Sequence, residues 1–404
     1  MTICAHNECT GCYACAAICP RHAVTMEEDN YGELHPIINE EKCIGCNMCV
    51  KVCPSNNDLS YNYPIKCYAA WITDADKRRI CASGGIGTIM SEYVITQQGG
   101  VVFGSRYDES FMPIMAYTDR IEDLEKYKGS RYVQSIVGYD TFKKVRTYLN
   151  DGRNVLFIGT PCQIAGLKGY LQKDYNSLVT VDLICHGCCP TKYFTEEIAH
   201  LSKIHSINNI FDIRFRGNDR NNYALSIWTK TEKRIKRIYK KPALEQPYFA
   251  SFLLGVALRE NCYSCRFSRP DRISDITIGD FIGLGNEVEF PYSRYNVSSV
   301  SINTIKGELF YQKLKSVLPE LISIERDYTE RLKYKLSLGE SAKCHQTRNS
   351  FREEYLKTNY VTAIRKVLKP ILQRNKIKRL LNLWTYLFKI PRKLFKVIFA
   401  KFLR

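Results

Sequence analysis

Eight cysteines within the first 57 residues constrain this chain more than any other feature. They form two copies of C-x2-C-x2-C-x3-C, each followed by proline, and the copies are 34 residues apart. The two sets are Cys9, Cys12, Cys15 and Cys19, and Cys43, Cys46, Cys49 and Cys53. Three thiolates at this spacing wrap three corners of a cubane in one tight loop, so the fourth corner must come from elsewhere in the chain.

This spacing predicts two 4Fe–4S clusters. In the bacterial ferredoxin pattern the fourth cysteine of each copy ligates the other cluster. We therefore predict that Cys53 joins the first triplet and that Cys19 joins the second. Zinc is the alternative, but structural zinc sites usually pair two C-x2-C motifs, and neither copy has that form. Cys4 lies outside the pattern and is interpreted as having no ligand role. Residues 1–57 are predicted to be a ferredoxin-like α+β domain.

Composition indicates the cellular compartment of the protein and the class of partner that its body can bind. Eighteen cysteines without a visible export signal at the start of the chain favour metal-bound thiolates in a reducing cytosol over a disulfide scaffold. The net charge is +18, yet 14 Lys and Arg lie between Lys357 and Arg404 and no acidic residue follows Glu354. The remaining body carries only about +4, so we expect no nucleic-acid binding there.

Residues 64–340 alternate apolar runs with amphipathic stretches. This pattern predicts an α/β body with a mixed, mainly parallel sheet, in parts of about 64–150 and about 151–340. The predicted helices are 85–98, 140–149, 162–172 and 191–205. The predicted strands are 101–103, 155–158, 178–184 and 275–281, and 207–239 is predicted to be a β-rich insertion.

Four cysteines of the body occupy informative positions. Cys162 and Cys185 each follow a predicted strand, and Cys262 and Cys265 form a C-x2-C pair. Ligands bind beyond the carboxyl ends of strands in open α/β sheets, so these four thiols are candidates for a third cluster. Free cysteines are also often buried as small apolar groups, and the spacing by itself leaves both interpretations open.

Several segments resemble the beta-subunit family of coenzyme F420 hydrogenases and dehydrogenases. They are GTPCQIAGL (159–167), VDLICHG (181–187), CYSCRF (262–267), DITIGDF (275–281), CASGGIGT (81–88), GGVVFGSRYD (99–108) and KGSRYVQS (128–135). The resemblance implies FAD and a 4Fe–4S cluster in the body, with Cys162, Cys185, Cys262 and Cys265 as cluster ligands. This chain departs from the family where it has Cys188 and Cys189, either of which is an alternative to Cys185, and where Cys81 replaces a serine.

The flavin residues are suggested by a glycine-rich helix start. Ser83, Gly84 and Gly85 precede a predicted helix, and backbone N–H groups there suit a pyrophosphate, although a simple turn explains them equally well. With the resemblance, they and Arg131 become candidates for FAD binding. His186 is a candidate proton donor, and Asp280 is interpreted as a flavin contact or a turn cap.

The C-terminal segment 351–404 is predicted to form basic amphipathic helices. We expect one helix at 351–368, a separation at Pro370, and a second helix kinked near Pro391. Apolar residues such as Trp384 and Phe388 recur at spacings of three and four with lysines between them. This arrangement favours contact of 357–404 with an anionic membrane surface, and packing on the body or on a partner is the alternative.

Together these features predict an iron–sulfur flavoprotein oxidoreductase acting on an unidentified organic substrate. Its expected redox partner is ferredoxin or another electron carrier, and its expected location is the cytoplasm or the inner face of the membrane. Two alternatives remain: an electron-transfer subunit that docks to a separate catalytic protein, and an F420-dependent hydrogenase or dehydrogenase beta subunit.

Overall fold

The computed structural model describes residues 2–216, 223–232, 234–335 and 337–387. Its strands are β1 (Val24–Glu28), β2 (Leu34–Ile38), β3 (Lys66–Ile72), β4 (Val101–Tyr107), β5 (Pro113–Thr118), β6 (Val155–Gly159), β7 (Leu178–Leu183), β8 (Ile210–Arg214), β9 (Ala224–Lys230), β10 (Ile235–Pro242), β11 (Ile276–Asp280), β12 (Ser298–Ile302) and β13 (Leu321–Arg326).

The α-helices are α1 (Ala14–Ile18), α2 (Met48–Lys51), α3 (Ala75–Ile80), α4 (Ile86–Gln98), α5 (Thr141–Asn150), α6 (Pro161–Leu171), α7 (Thr191–Ile204), α8 (Pro247–Leu253), α9 (Ile305–Val317), α10 (Tyr328–Leu332), α11 (Arg348–Lys357) and α12 (Tyr360–Leu387). Short 3₁₀ helices lie at His6–Glu8, Ile121–Tyr127, Ala243–Glu245 and Glu260–Cys262.

The amino-terminal segment repeats its backbone as it repeats its cysteines. Gly11 and Gly45 have φ of 64° and 67°, and Tyr13 and Asn47, which precede α1 and α2, have φ of 68° and 58°. These left-handed positions bend each cysteine loop in the same way, and glycine is the residue that adopts them at least cost. β1 and β2 pair antiparallel between the loops, which gives the predicted ferredoxin-like α+β arrangement.

The body is built on one mixed sheet of eight strands. The strand order is β13-β3-β12-β11-β7-β6-β4-β5. The three central pairings, β11–β7, β7–β6 and β6–β4, are parallel, and the four outer pairings are antiparallel. The predicted mixed α/β class is confirmed. The boundary near residue 150 stays a prediction, and strands from both sides of it lie in this sheet.

Helices cover both faces of the sheet. Along β4, Val101 and Phe103 pack with α5, α6 and the buried alanines of α1, whereas Val102 packs with α4 and α9. This alternation follows from the two-residue period of a strand. The ferredoxin-like segment therefore shares a hydrophobic core with one face of the body.

A three-stranded antiparallel sheet, β10-β9-β8, forms the β-rich insertion that the sequence predicts between 207 and 239. Its inward residues, such as Ile213 and Ile227, join a core with α7, α8 and the first turns of α12. This second core holds many aromatic rings, and it anchors the carboxyl-terminal helices to the body.

The predicted separation at Pro370 is wrong. Helix α12 continues through Pro370, and the interruption lies earlier, at Thr358, where the backbone leaves helical geometry. Leu368 before Pro370 and Ile371 and Leu372 after it pack on the second core. This packing on both sides of the proline outweighs the loss of one backbone hydrogen bond. The expected kink at Pro391 and the apolar residues beyond Leu387 lie outside the described residues. No helix in the described part of the chain is long and apolar enough to cross a membrane.

Candidate functional site

The structure brings Cys53 to the first cysteine triplet. Cys9, Cys12, Cys15 and Cys53 are all buried, and we call them the first thiol set. The pKa of Cys12 is raised to about 12, chiefly by burial and also by the nearby thiolates of Cys53 and Cys9. Burial also raises the pKa of Cys15, with Cys12, Cys9 and Cys53 adding to the shift. Such mutual repulsion between thiolates is relieved when they bind a cation.

The second thiol set is Cys19, Cys43, Cys46 and Cys49. These four line one cavity together with apolar residues that include Ile38, Ile44 and Met48. Ile44 is 63% exposed and Cys46 is also exposed, so this set lies at the surface whereas the first set is buried. Cys19 and Cys53 thus exchange places between the two copies, which is the crossed arrangement that the ferredoxin pattern predicts.

Cys4 contacts the first thiol set. Its thiol forms hydrogen bonds with Cys53 and Cys9, and these bonds, followed by burial, raise the pKa of Cys4. The sequence predicted no ligand role for Cys4, and that remains a prediction. The structure adds that Cys4 is a fifth thiol beside the first set. No spacing rule marks Cys4, because it lies before the repeated pattern begins.

A buried arginine of the body, Arg259, holds the loop of the first set. It is 1% exposed, and its guanidinium donates hydrogen bonds to Cys9 O, Leu34 O, Gln134 Oε1 and Asn261 Oδ1. The pKa of Cys9 is lowered, chiefly by the hydrogen bond with Cys4 and also by His35 and the Arg259 charge. No carboxylate of the described residues forms an ion pair with Arg259, so its charge faces the thiol set uncompensated.

Five cysteines meet in the body, beyond the carboxyl ends of β6 and β7. These are the four predicted ligands, Cys162, Cys185, Cys262 and Cys265, together with Cys188, and we call them the body thiol set. Burial raises the pKa of Cys162 to about 12, with thiolates at Cys185 and Cys265 adding to it. Burial also raises the pKa of Cys262, and the same neighbours contribute.

The two alternatives to Cys185 have different surroundings. Cys188 forms a hydrogen bond with Cys185, and this bond is the largest cause of the lowered pKa of Cys185. Cys189 is fully buried in the aromatic second core, next to Tyr248 and Ser251, and burial raises its pKa to about 12. Cys188 is therefore within the body thiol set and Cys189 is not.

Strand ends and a buried ion pair position the body thiol set. Cys162 begins α6 directly after β6, with its Sγ 3.1 Å from Thr160 Oγ1. Cys185 follows β7 and accepts a hydrogen bond from the backbone N–H of Gly187. Below it, Arg272 pairs with the fully buried Asp182 at 3.1 Å, which fixes the end of β7.

Helix α6 connects the first thiol set to the body set. A Cβ at Gly166 would lie 2.9 Å from Cys12 Sγ, and one at Gly169 would lie 2.3 Å from Val52 O. Only glycine permits this approach of the helix to both cysteine loops. Cys162 stands at the start of the same helix, and the Cys12 thiolate contributes to its raised pKa. The first and body sets are therefore neighbours.

The predicted flavin residues lie at two places on the body. The Ser83 hydroxyl donates to Val297 O and the Gly84 N–H donates to Ser298 Oγ. A Cβ at Gly84 would be 2.2 Å from Ala70 O, so these residues hold the loop against β3 and β12. Gly85 ends the loop as the cap of α4. Arg131 is a half-buried cation beside Tyr107, and its buried Nε has no hydrogen-bond partner.

His186 and Asp280 lie at the carboxyl edge of the central sheet. His186 follows Cys185, its Nε2 is buried without a hydrogen-bond partner, and burial lowers its pKa. Asp280 ends β11 and accepts two hydrogen bonds from Arg216 at 2.9 and 3.1 Å and one from Tyr223 at 2.8 Å. Asp280 is thus engaged by a cation and a phenol. The sequence analysis did not predict Arg216 or Tyr223 as site residues, because neither belongs to a motif.

Comparison with known proteins identifies both halves of this arrangement. Residues 8–57 match the 4Fe-4S dicluster domain, and residues 152–321 match the family described as the C terminus of the coenzyme F420 hydrogenase/dehydrogenase beta subunit. Among solved structures, the xenon-derivatised F420-reducing [NiFe] hydrogenase complex from Methanosarcina barkeri aligns with a TM-score of 0.40 and 17% identity. That alignment covers 68% of this chain and 89% of the other. No curated protein matches.

The repeated cysteine loops, the matched dicluster domain and the matched body region agree with the family resemblance predicted from the motifs, which is confirmed. Residues 152–321 thus match the C-terminal part of the coenzyme F420 hydrogenase/dehydrogenase beta-subunit family, and together with the 4Fe-4S dicluster domain at 8–57 they indicate an iron–sulfur electron-transfer protein of that type.

Proposed function

We propose that this chain is an iron–sulfur flavoprotein oxidoreductase that holds three 4Fe–4S clusters and FAD. The observation that carries this proposal is the serial placement of three thiol sets. The second set is at the surface, the first set is buried, and each takes its fourth cysteine from the other copy of the repeat. The body set adjoins the first set through α6. Thiolate cages placed in this order suit one-electron transfer between the surface and the body.

The surface end of this series suits a protein redox partner. Ile44, Cys46 and Met48 are exposed around the second thiol set, and Ile37 nearby is 49% exposed. Apolar side chains around an exposed redox centre form a contact surface that excludes water. Ferredoxin or another electron carrier is the proposed partner at this end.

The other end lies at the carboxyl edge of the sheet. The first turn of α4 packs over β6 and β11, because a Cβ at Gly87 would lie 3.4 Å from Ile278 Cδ1 and 3.8 Å from Ile158 Cδ1. Cys185 follows β7, the strand between these two. The helix start and the body thiol set therefore lie at neighbouring strand ends, where ligands of α/β sheets bind.

The helix start fits a pyrophosphate. The N–H groups of the first turn of α4 have no intrahelical acceptors, and the helix dipole favours an anion there. The Ser83 hydroxyl and the Gly84 N–H already form hydrogen bonds with the segment at Val297 and Ser298. We therefore propose that these two residues position the turn and do not contact the pyrophosphate. Bound FAD would supply the exchange between a two-electron carrier and one-electron clusters.

Two side chains are the proposed polar contacts of this end. Arg131 is half-buried, and its buried Nε–H has no partner, so it can donate to an anionic or carbonyl group. His186 is neutral at pH 7, because burial lowers its pKa below the usual value near 6.5. A neutral imidazole with a free Nε2 can hold or release one proton at that atom, and this is the role that we propose for it.

Metal and flavin analysis after anaerobic purification tests the proposal. Three clusters predict about twelve iron per chain, with four per cubane, together with one flavin. Cys162→Ala should remove about four iron and leave the EPR signals of the other two clusters unchanged. Cys344→Ala is the matched control, because that thiol is exposed and outside all three sets. A wild-type count near eight iron would contradict a cluster in the body.

A second pair of variants tests the ligands of the body cluster. Cys189→Ala should keep full iron, because Cys189 lies in the aromatic core. Cys185→Ala should lose a cluster unless Cys188, its hydrogen-bonded neighbour, replaces it. In that case the double variant Cys185→Ala, Cys188→Ala should lose about four iron, and full iron in the double variant would contradict a ligand from this loop.

Activity of the purified single chain separates the proposed enzyme from an electron-transfer subunit. An enzyme with its own substrate should turn over a metabolite in the presence of reduced ferredoxin. A subunit that depends on a separate catalytic protein should reduce dyes only. Reduction of F420 by the loaded chain would instead support an F420-dependent hydrogenase or dehydrogenase beta subunit. The description of the matched family motivates this alternative.

A further inference from the structure

Two histidines and an aspartate meet near the amino end of the chain. His6 lies in the 3₁₀ helix before the first cysteine loop, Asp29 lies just after β1, and His35 lies in β2. The Nε2 atoms of His6 and His35 are 3.4 and 3.7 Å from Asp29 Oδ2. Each residue offers one ligand atom, and the three atoms lie within 4.8 Å of one another. We propose that these residues bind a divalent transition-metal ion outside the cysteine sets.

The carboxylate of Asp29 is oriented for this purpose by the turn between β1 and β2. Its Oδ1 accepts hydrogen bonds from the backbone N–H groups of Tyr31 and Glu33, at 2.9 and 2.8 Å. The turn therefore fixes the carboxyl plane, and Oδ2 remains directed at the histidines. Metal-ligating carboxylates are commonly held by hydrogen bonds of this kind.

His35 supplies an independent sign of a missing partner. It is 6% exposed, and its Nε2 is buried without a hydrogen-bond partner. The 3.7 Å separation from Asp29 Oδ2 is too long for a hydrogen bond. A buried polar atom that lacks a partner destabilises the fold, and an ion between Nε2 and Oδ2 would remove that cost.

His6 is the exposed ligand of the three. Its ring stacks on the ring of His35, with centroids 3.7 Å apart and planes 14° apart. Parallel rings direct their lone pairs side by side, so binding requires the His6 ring to turn toward the shared ion. Its side chain is 63% exposed, so solvent leaves room for this rotation and gives an ion access to the site.

The donor set determines the class of ion. Two imidazoles and one carboxylate, with a position left for water, form an open three-ligand site of the type that holds Zn²⁺ or Fe²⁺. Mg²⁺ and Ca²⁺ prefer all-oxygen cages, so we expect them to bind poorly. The His35 imidazole also reaches the Cys9 thiol, which puts the ion next to the first thiol set.

Zinc binding to the cluster-loaded Cys344→Ala protein tests this proposal, because loading keeps the cluster cysteines from capturing the probe and the substitution removes the exposed free thiol. Equilibrium dialysis against ZnCl₂, followed by metal analysis, should give one tightly bound zinc per chain with the iron content unchanged. The same experiment with MgCl₂ should give no comparable binding. This readout needs neither activity nor the third cluster, so it does not depend on the proposed function.

Three variants locate the zinc. Asp29→Asn keeps an acceptor for Tyr31 and Glu33 but replaces the ligating oxygen with an amide, and His6→Ala removes an exposed ring. Each should weaken zinc binding by more than the roughly 10- to 100-fold that loss of an outer-shell partner costs. His22→Asn is the matched control, because it changes an exposed histidine outside the trio. Absence of tight zinc, or equal binding by all variants, would overturn the proposal.

Discussion

At the scale of single residues, charge near the cysteines is the feature with the clearest functional consequence. Arg259 is fully buried, and all its hydrogen-bond acceptors are neutral: two backbone carbonyls and two side-chain amides. Burying a guanidinium without a counter-charge is costly. The negative charge of a thiolate-bound cluster at the first set would offset that cost, and this reasoning gives Arg259 a redox role.

Arg259→Gln should lower the reduction potential of the cluster at the first thiol set. Loss of one positive charge disfavours the more negative reduced cluster by on the order of 1 kcal/mol, which is about 40 mV for one electron. An EPR-monitored redox titration of the loaded protein measures the shift. Arg266→Gln is the control, because that arginine contacts the segment after Cys53, at Pro54 O and Ser55 O, but is exposed. A potential that stays constant or rises in Arg259→Gln would refute the assignment.

At the scale of elements, α6 is the part that joins the electron-transfer domain to the body. Its glycines face the cysteine loops, and its first turn carries Cys162. The helix therefore fixes the relation between the first and body thiol sets, and a change in its packing should affect both.

Gly169→Ala should destabilise the folded protein, because the new Cβ would lie 2.3 Å from a backbone oxygen, Val52 O. Overpacking of this type costs about 1–3 kcal/mol, and the midpoint of thermal unfolding should fall. Gly87→Ala makes the same exchange in α4, where the nearest atom is 3.4 Å away, so it should keep or raise the midpoint. Equal midpoints for the two variants would argue against close contact at α6.

At the scale of the whole molecule, the basic part of the carboxyl-terminal segment begins before the part that packs on the body ends. The basic residues run from Lys357 to Arg404, but Tyr360, Ala363, Ile364 and Leu368 are part of the second core. Arg365 also forms two hydrogen bonds of 2.8 Å with the buried Glu197. The first part of α12 therefore stabilises the body, and the predicted membrane contact is a hypothesis for the segment beyond it.

Truncation after Leu387 should leave the fold intact and reduce binding to anionic vesicles. It removes six of the basic residues, and each lysine or arginine near such a surface contributes about 1 kcal/mol. Sedimentation with phosphatidylserine-containing vesicles measures the loss, which we expect to be at least about tenfold. Lys376→Gln with Lys378→Gln, in the retained helix, serves as the comparison. The membrane hypothesis fails if the truncated chain binds as well as the full chain.

The sequence by itself determined the parts of this protein that local spacing encodes. The duplicated cysteine pattern predicts the crossed grouping of Cys19 and Cys53, because the geometry of a cubane fixes which loops can hold it. The alternation of apolar residues likewise predicts the four central strands, β4, β6, β7 and β11, and the helices between them, since a period of two or 3.6 residues is a local property.

The tertiary structure alone decided contacts between residues far apart in the chain. It separated Cys188 from Cys189, added Cys4 to the first thiol set, brought Arg259 against Cys9, and placed β3, β12 and β13 antiparallel at one side of the sheet. It also carried α12 through Pro370, where packing outweighs local propensity. These outcomes depend on which surfaces meet when the chain collapses, and no spacing within a single segment encodes that.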